Sequence, residues 1–277
     1  MPQPEPSASR LRDHVVAALL GLAITAGPAW ALEPASTGVV VLHGKWGDPS
    51  QMRPIAEALE EAGFAVERPA MPWAGYRNYD RPYGEAMAEI AEAAGHLREK
   101  GARNIVICGQ SLGGNATLGY GVDHADPAAL VLIAPAHLPE GERLAREVAG
   151  SVARARDMVA AGEGGDTASF LDVNSGNRTR WPRLPATTYL SYYDPDGPAA
   201  MSHFAPAVKV TRIVWLPADQ DPATADFSAQ VLPRLPATAQ IQRVDLPGEH
   251  LDAPQEAAKR IVDVLRAIPE PAAGRAQ

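Results

Sequence analysis

The first stretch whose residue types and spacing could do covalent chemistry is a serine flanked by glycines. Gly109-Gln110-Ser111-Leu112-Gly113-Gly114 follows the apolar run Asn104-Ile105-Val106-Ile107-Cys108 and leads into a helix-like segment from Leu112 to Tyr120. A G-x-S-x-G pentapeptide between a strand and a helix sets the serine on a tight, strained turn at the strand's carboxyl end. Side chains two before and two after it would strike neighbouring backbone, so small residues are needed there, and the hydroxyl projects into a cleft. The helix amino terminus behind it offers N–H groups and a favourable dipole to a developing oxyanion. The competing reading is a Gly/Ser-rich turn that merely starts a helix, and the strand-to-helix placement counts against it.

A serine at its ordinary pKa is a poor nucleophile and needs a base within hydrogen-bond reach. The expected chain order is serine, acid, histidine. His124, His137, His203 and His250 lie downstream. His124 falls just after the elbow helix, His137 follows a strand and could face the cleft, and His203 lies in an irregular stretch. His250 follows the last strand through Pro247-Gly248-Glu249 and precedes the final helix, where the base belongs. The acid should follow the preceding strand, where Arg212-Ile213-Val214-Trp215-Leu216 leads into Pro217-Ala218-Asp219-Gln220-Asp221-Pro222. The small-x-x-Asp-Pro pattern favours Asp221 over Asp219; either aspartate could instead cap a turn or helix. The oxyanion needs two N–H donors. Leu112 supplies one, and the loop His43-Gly44-Lys45-Trp46-Gly47 the other, with the Lys45 amide preferred and Trp46 second. His43 reads as a brace for that loop rather than a base.

The elements that must position these residues alternate. Strands are expected at 38–42, 64–66, 104–108, 129–134, 210–216 and 240–246. Helices are expected at 54–62, 85–100, from 112, near 227–232 and at 254–268. Such alternation implies a parallel sheet covered on both faces. Residues 138–208 break the rhythm with a polar helix at 140–161, a Gly-rich turn and a stretch rich in Trp, Pro and Tyr.

In Leu42-His43-Gly44, the elbow Gly109 to Gly113, Asp221 and His250, taken in this order, the chain resembles the α/β-hydrolase superfamily over most of its length. The resemblance implies an α/β fold with a mostly parallel central sheet, helices on both faces, and a cap-like insertion (138–208) between the strands carrying nucleophile and acid. It implies Ser-His-Asp chemistry without a substrate. Met71-Pro72-Trp73 with Arg77-Asn78-Tyr79-Asp80 looks like the loop of a group of bacterial secreted serine hydrolases, which again implies no substrate. The Gly-Gly run that follows His-Gly in well-described lipases is missing, so a triacylglycerol lipase is disfavoured. Trp73, Tyr76, Tyr79, Trp181, Tyr189, Tyr192 and Tyr193 are candidates to line the pocket, although most aromatics serve packing.

Composition sets outer limits. The 277 residues carry a formal net charge of -8, 46% hydrophobic and 21% charged residues, and show no basic patch, which argues against nucleic acid or an anionic membrane as partner. The one cysteine, Cys108, sits in an apolar run and reads as a buried hydrophobe. No Cys/His cluster has metal-ligand spacing, so neither metal nor cofactor is expected. Arg10-Leu11-Arg12, the short apolar stretch 15–27 and the site Ala29-Trp30-Ala31 read as a secretory leader (1–31), too short to span a bilayer comfortably. The expectation is therefore a secreted or periplasmic protein without a stable membrane anchor. Its hydrolase domain would occupy 32–268 and a disordered tail 269–277. The expected activity is ester hydrolysis on a small molecule through an acyl-enzyme on Ser111. The rivals are amide, thioester or haloperoxidase-like chemistry on the same triad, or a non-catalytic binding protein on this fold.

Overall fold

β-Branched and aliphatic runs are buried on both faces in this protein, and the computed structural model shows what covers them. It describes Met1 and residues 31–270; the leader reading and residues 271–277 lie outside the described residues. In chain order the elements begin with β1 (Thr37–Leu42), α1 (Arg53–Glu61), β2 (Ala65–Glu67), α2 (Tyr83–Glu99), β3 (Asn104–Gln110), α3 (Leu112–Asp123) and β4 (Ala129–Ile133). The insertion holds α4 (Glu142–Ala160), β5 (Thr167–Ser169), β6 (Asp172–Asn174), β7 (Arg178–Arg180), β8 (Arg183–Pro185), α5 (Ala186–Tyr193) and α6 (Met201–Phe204). The chain ends with β9 (Arg212–Leu216), α7 (Pro222–Gln230), β10 (Gln240–Arg243), α8 (Ala253–Ala258) and α9 (Ile261–Arg266).

Six strands form one sheet in the order β10-β9-β4-β3-β1-β2, and every pairing is parallel. The period-two alternation of the strands sorts the core into two layers. Val40, Leu42, Ile105, Ile107, Leu130 and Leu132 face one side, with Ile90 and Leu97 of α2 and Ala116 of α3. Val39, Val41, Val106, Cys108, Val131 and Ile133 face the other, with Ile55 and Leu59 of α1, Ala257 of α8 and Ile261 of α9. Burial pushes the Cys108 thiol up to about 12, as suits a buried hydrophobe. Strand order reverses between β1 and β3, and a parallel sheet opens a crevice outside the carboxyl ends of its strands at such a point.

Several boundaries differ from those expected. β10 is shorter than expected, stopping at Arg243, and Leu246 returns only as an isolated bridge to Ala218. The expected final helix is two helices, because the Arg260 N–H bonds the Ala257 carbonyl in a tighter turn and Arg260 leaves the helical region at φ -121°. Ala253, Ala257, Ile261 and Leu265 still share the buried side. The expected tail begins with placed residues: Pro269 bridges Ala31, and Asn104 Nδ2 donates to Glu270 Oε1 at 3.2 Å. The insertion is three helices and two short antiparallel strand pairs, β5 with β8 enclosing β6 with β7. None of the described helices is long and apolar enough to cross a membrane.

Ile107 is fully buried in the central strand. Ile107→Ala is expected to remove about 2–5 kcal/mol of stability, read as a lower urea midpoint with an unchanged slope.

Candidate active site

Ser111 sits at φ 57°, ψ -119°, a backbone that L-residues rarely adopt. The space around it explains the glycines. A Cβ on Gly109 would lie 2.1 Å from the Gly113 carbonyl oxygen, and one on Gly113 would lie 2.6 Å from that of Leu42. The Ser111 N–H bonds the Ile133 carbonyl at 3.1 Å, and its own carbonyl accepts from Asn115 and Ala136. β4 and α3 thus hold the turn from both sides.

The hydroxyl meets the base expected for it. Ser111 Oγ lies 2.9 Å from His250 Nε2, and His250 Nδ1 lies 2.6 Å from Asp221 Oδ2. All three residues are buried. Facing a carboxylate, Nδ1 carries the proton, which leaves Nε2 free to accept from the serine. Asp221 Oδ1 also caps α7 by accepting from the Ala223 N–H at 3.0 Å. Asp219 is spent elsewhere: its Oδ1 accepts from the Gly248 N–H at 2.9 Å, so it braces the loop carrying His250 without touching the imidazole. The remaining histidines do other work. His124 stacks on Tyr120, and His203 lies in α6. His137 donates from Nε2 to the Tyr192 carbonyl at 2.8 Å.

The two amides expected to face the oxyanion carry no hydrogen bond to any described residue, while the Trp46 amide is engaged by the Trp73 carbonyl at 3.1 Å. The amide of the second choice is thus already paired, and that of the first is not. The peptide bearing the Lys45 N–H is oriented from behind. His43 Nδ1–H and the Gly47 N–H both bond the Gly44 carbonyl, at 2.8 and 3.1 Å, turning the opposite N–H the other way. His43 Nε2 accepts from the Met71 N–H at 3.0 Å, and burial lowers its pKa, so it works as a neutral brace. Trp73 Nε1 donates to the His43 carbonyl at 2.8 Å, which gives the Pro-Trp loop its place.

Sequence patterning missed three positions. Gln110, the variable residue before the nucleophile, points Nε2 at His250 Nε2 (3.2 Å) and at the His250 carbonyl (3.3 Å). Gln51 links Gln110 to the Gly44 amide. The third is Asp172 on β6. Its buried carboxylate accepts from the Lys45 ammonium at 3.2 Å, Tyr79 at 2.9 Å, Arg180 Nε at 3.0 Å, Trp46 Nε1 and Tyr193. Asn174 Nδ2 adds a bond to the Lys45 carbonyl at 3.1 Å. The insertion therefore grips the oxyanion loop by its side chains and its backbone. Burial alone would raise the Asp172 pKa, but Lys45, Tyr193, Trp46 and Arg180 outweigh it and hold the carboxyl below its usual range. Nothing local in the sequence marks Asp172, because its five partners are spread from residue 45 to residue 193.

Beside Ser111 lies a cavity of about 60 Å³, walled by Lys45, His137, Arg143, Glu147, Val173 and Asn174 among others. Its wall contains none of the aromatic candidates. Trp73, Tyr79, Tyr189, Tyr192 and Tyr193 are packed in the core, and Tyr76 and Trp181 stand exposed. The buried aromatics pack the insertion against the core, and beside the serine polar groups alternate with Ala136, Leu138, Leu144, Val173 and Ala223.

A parallel sheet, a serine on a strained turn after its central strand, and an aspartate-backed histidine after the last strand together define a class of α/β protein equipped for nucleophilic chemistry. The chain belongs to the alpha/beta hydrolase family, whose model matches residues 39–264. A thermostable monoacylglycerol lipase of Bacillus sp. (strain H-257) is 34% identical over 104 residues, 36% of this chain. The match spans about two fifths of that relative's length (41%). Among solved structures, the chain resembles a metagenome-derived lipolytic enzyme (TM-score 0.59, 20% identity, 86% of this chain and 97% of that one). It also resembles the Paleococcus ferrophilus monoacylglycerol lipase (TM-score 0.60, 20% identity, 84% and 95%). These structural likenesses concern the fold.

Asp172→Asn would leave the buried Lys45 ammonium and the half-buried Arg180 beside a neutral group, so a loss of about 3 kcal/mol is expected at pH 7. A carboxyl whose pKa is lowered by folding stabilises above its unfolded value, near 3.9, and ceases to as pH falls through the folded one. The gap between wild type and Asp172→Asn in urea denaturation should therefore narrow below about pH 4.

Proposed function

We propose that this protein hydrolyses carboxylic esters through an acyl-enzyme on Ser111. The reading is carried by the hydrogen-bond chain from Ser111 Oγ through His250 to Asp221, at 2.9 and 2.6 Å. His250 Nε2 takes the hydroxyl proton as Ser111 attacks the ester carbonyl. The Leu112 and Lys45 amides receive the oxyanion, and His250 returns the proton to the leaving alcohol. Asp221 holds the tautomer and stabilises the imidazolium. A water activated by the same His250 then releases the acid. The scheme calls on no cofactor or metal. The lipase relative and the lipolytic structural neighbour favour an ester over an amide. We extend the proposal to export: the leader pattern of residues 10–31 supports a mature chain beginning near Leu32 in the periplasm or outside the cell.

A fluorophosphonate probe read by mass spectrometry should modify Ser111 in the wild type and fail to do so in His250→Ala. Turnover of a short acyl ester should fall about 10⁴-fold or more in His250→Ala. It should fall at least 10²-fold in Asp221→Asn and less than tenfold in Asp219→Asn, the order reversing if Asp219 is the acid. Folded wild-type protein that stays unlabelled and hydrolyses no ester would favour the non-catalytic binding reading.

A further inference from the structure

A chain of amides runs from the loop after β1 to the base. The Gly44 N–H donates to Gln51 Oε1 at 2.9 Å, and Gln51 Nε2 donates to Gln110 Oε1 at 3.2 Å. Gln110 Nε2 lies 3.2 Å from His250 Nε2 and 3.3 Å from the His250 carbonyl oxygen. The direction of this chain is set at both ends by backbone groups that have one role each. A backbone N–H only donates, so the end of Gln51 facing Gly44 is its oxygen, and its NH2 faces Gln110. The His250 carbonyl only accepts, so the end of Gln110 facing it is the NH2. Turning either amide over would set oxygen against oxygen or N–H against N–H. Both ends therefore leave Gln110 presenting an N–H to His250 Nε2.

The loop after β1 makes room for the two side chains. Gln110 is 1% exposed. A Cβ on Gly44 would lie 2.2 Å from Gln110 Oε1, and one on Gly47 would lie 2.2 Å from Gln51 Oε1. Neither glycine stands at positive φ, so backbone conformation does not call for glycine there. A side chain at either position would displace one of the amides.

We propose that Gln110 is a positioning residue for the base: held by Gln51, it keeps His250 Nε2 an acceptor and denies a resting place to the proton taken from Ser111. An N–H aimed at Nε2 favours the ring with a bare lone pair there, and the Ser111 hydroxyl, nearer at 2.9 Å, donates into that lone pair. Once the proton has moved to Nε2, the amide nitrogen has no lone pair with which to accept it. It goes back to the serine oxygen or on to the leaving group. An oxygen in the same place would hold it on the ring. Asp221 thus fixes the imidazole from Nδ1 and Gln110 from Nε2. The inference rests on the serine-histidine chemistry proposed above and adds a residue to it.

The test follows the rate constant for fluorophosphonate labelling of Ser111 against pH, which reads the serine and its base whatever the substrate. Two substitutions separate polarity from shape. Gln110→Glu keeps the shape and puts an oxygen against Nε2, whereas Gln110→Met removes the polar contact. An added carboxylate favours the charged imidazolium, which offers no lone pair until a higher pH removes its proton. Labelling at pH 7 should therefore fall about 10²-fold or more in Gln110→Glu and recover as pH rises, the acidic limb of the profile moving up by about one pH unit or more. In Gln110→Met the fall should stay below about tenfold. A merely structural Gln110 predicts the opposite order, with the shape-conserving change the milder one. Gln51→Glu, at a half-buried position, acts through Gln110 without touching His250. Its carboxylate would still accept from Gly44 but repel Gln110 Oε1, turning that amide over. It should slow labelling about tenfold in the wild-type background and leave it unchanged in Gln110→Met. Gln110→Glu labelled as fast as Gln110→Met at pH 7, or Gln51→Glu equally harmful in both backgrounds, would overturn the proposal. The Gln51 comparison decides it if Gln110→Glu does not fold. A labelled wild type with neither effect defeats only this inference. Folded wild type that stays unlabelled defeats the hydrolase reading, and this inference with it.

Discussion

A serine at φ 57° can stand clear of the sheet only where the chain on either side is no thicker than backbone. Gly109 and Gly113 meet that demand, and meeting it has wider consequences. The Gly113 Cα packs against the Leu42 and His43 carbonyls so closely that a Cβ would lie 2.6 and 2.7 Å from them. The amino end of α3 is thereby pressed against the exit of β1, which sets the loop bearing Lys45 beside the amide of Leu112. Gly44 continues the constraint, since a Cβ there would strike Gln110 Oε1 at 2.2 Å. One steric requirement brings the nucleophile and both candidate oxyanion donors into a common space.

Backbone strain is concentrated in the same region. Trp46, Ser111, Ala134 and His137 all have positive φ without being glycine. Such residues cost of order 1–3 kcal/mol each and persist only where their surroundings overdetermine them. Three of the four spend their amides on fixed carbonyls: Trp46 on Trp73, Ser111 on Ile133 and Ala134 on Leu216. His137 is tied instead by its own carbonyl and ring. The sheet supplies two of these acceptors, at Ile133 and Leu216, and the Pro-Trp loop supplies the third.

The insertion is part of this assembly rather than a separate lid. Asp172 collects two cations, two phenols and an indole, and through Lys45 and Trp46 it anchors the loop that carries the candidate oxyanion donor. Charges so deeply buried interact strongly, and their geometry has to be complete to offset the loss of hydration. Stability of the insertion and readiness of the oxyanion loop are linked through this carboxylate. The Tyr79, Tyr192 and Tyr193 rings, packed edge-on, fill the space around it.

The sequence by itself determined much of the framework. Apolar strand runs alternating with helical segments pointed to a parallel sheet, and the strand-elbow-helix context of Ser111 followed from local pattern alone. His250 and Asp221 were legible because each follows a recognisable strand. These features depend on neighbours a few residues apart, where spacing and residue type carry the information. The choice of Asp221 over Asp219 was only favoured by the Asp-Pro pattern. In the fold Asp219 accepts from the Gly248 amide and Asp221 meets the imidazole. Only the tertiary structure revealed Gln51, Gln110 and Asp172, and only it moved Trp73, Tyr79, Tyr189, Tyr192 and Tyr193 from pocket to packing. Their roles arise from contacts between residues up to 140 apart in the chain, between side chains whose meeting is set by the tertiary fold. Hydrogen-bond partners at such separations leave no periodicity in the chain, so geometry alone assigns them.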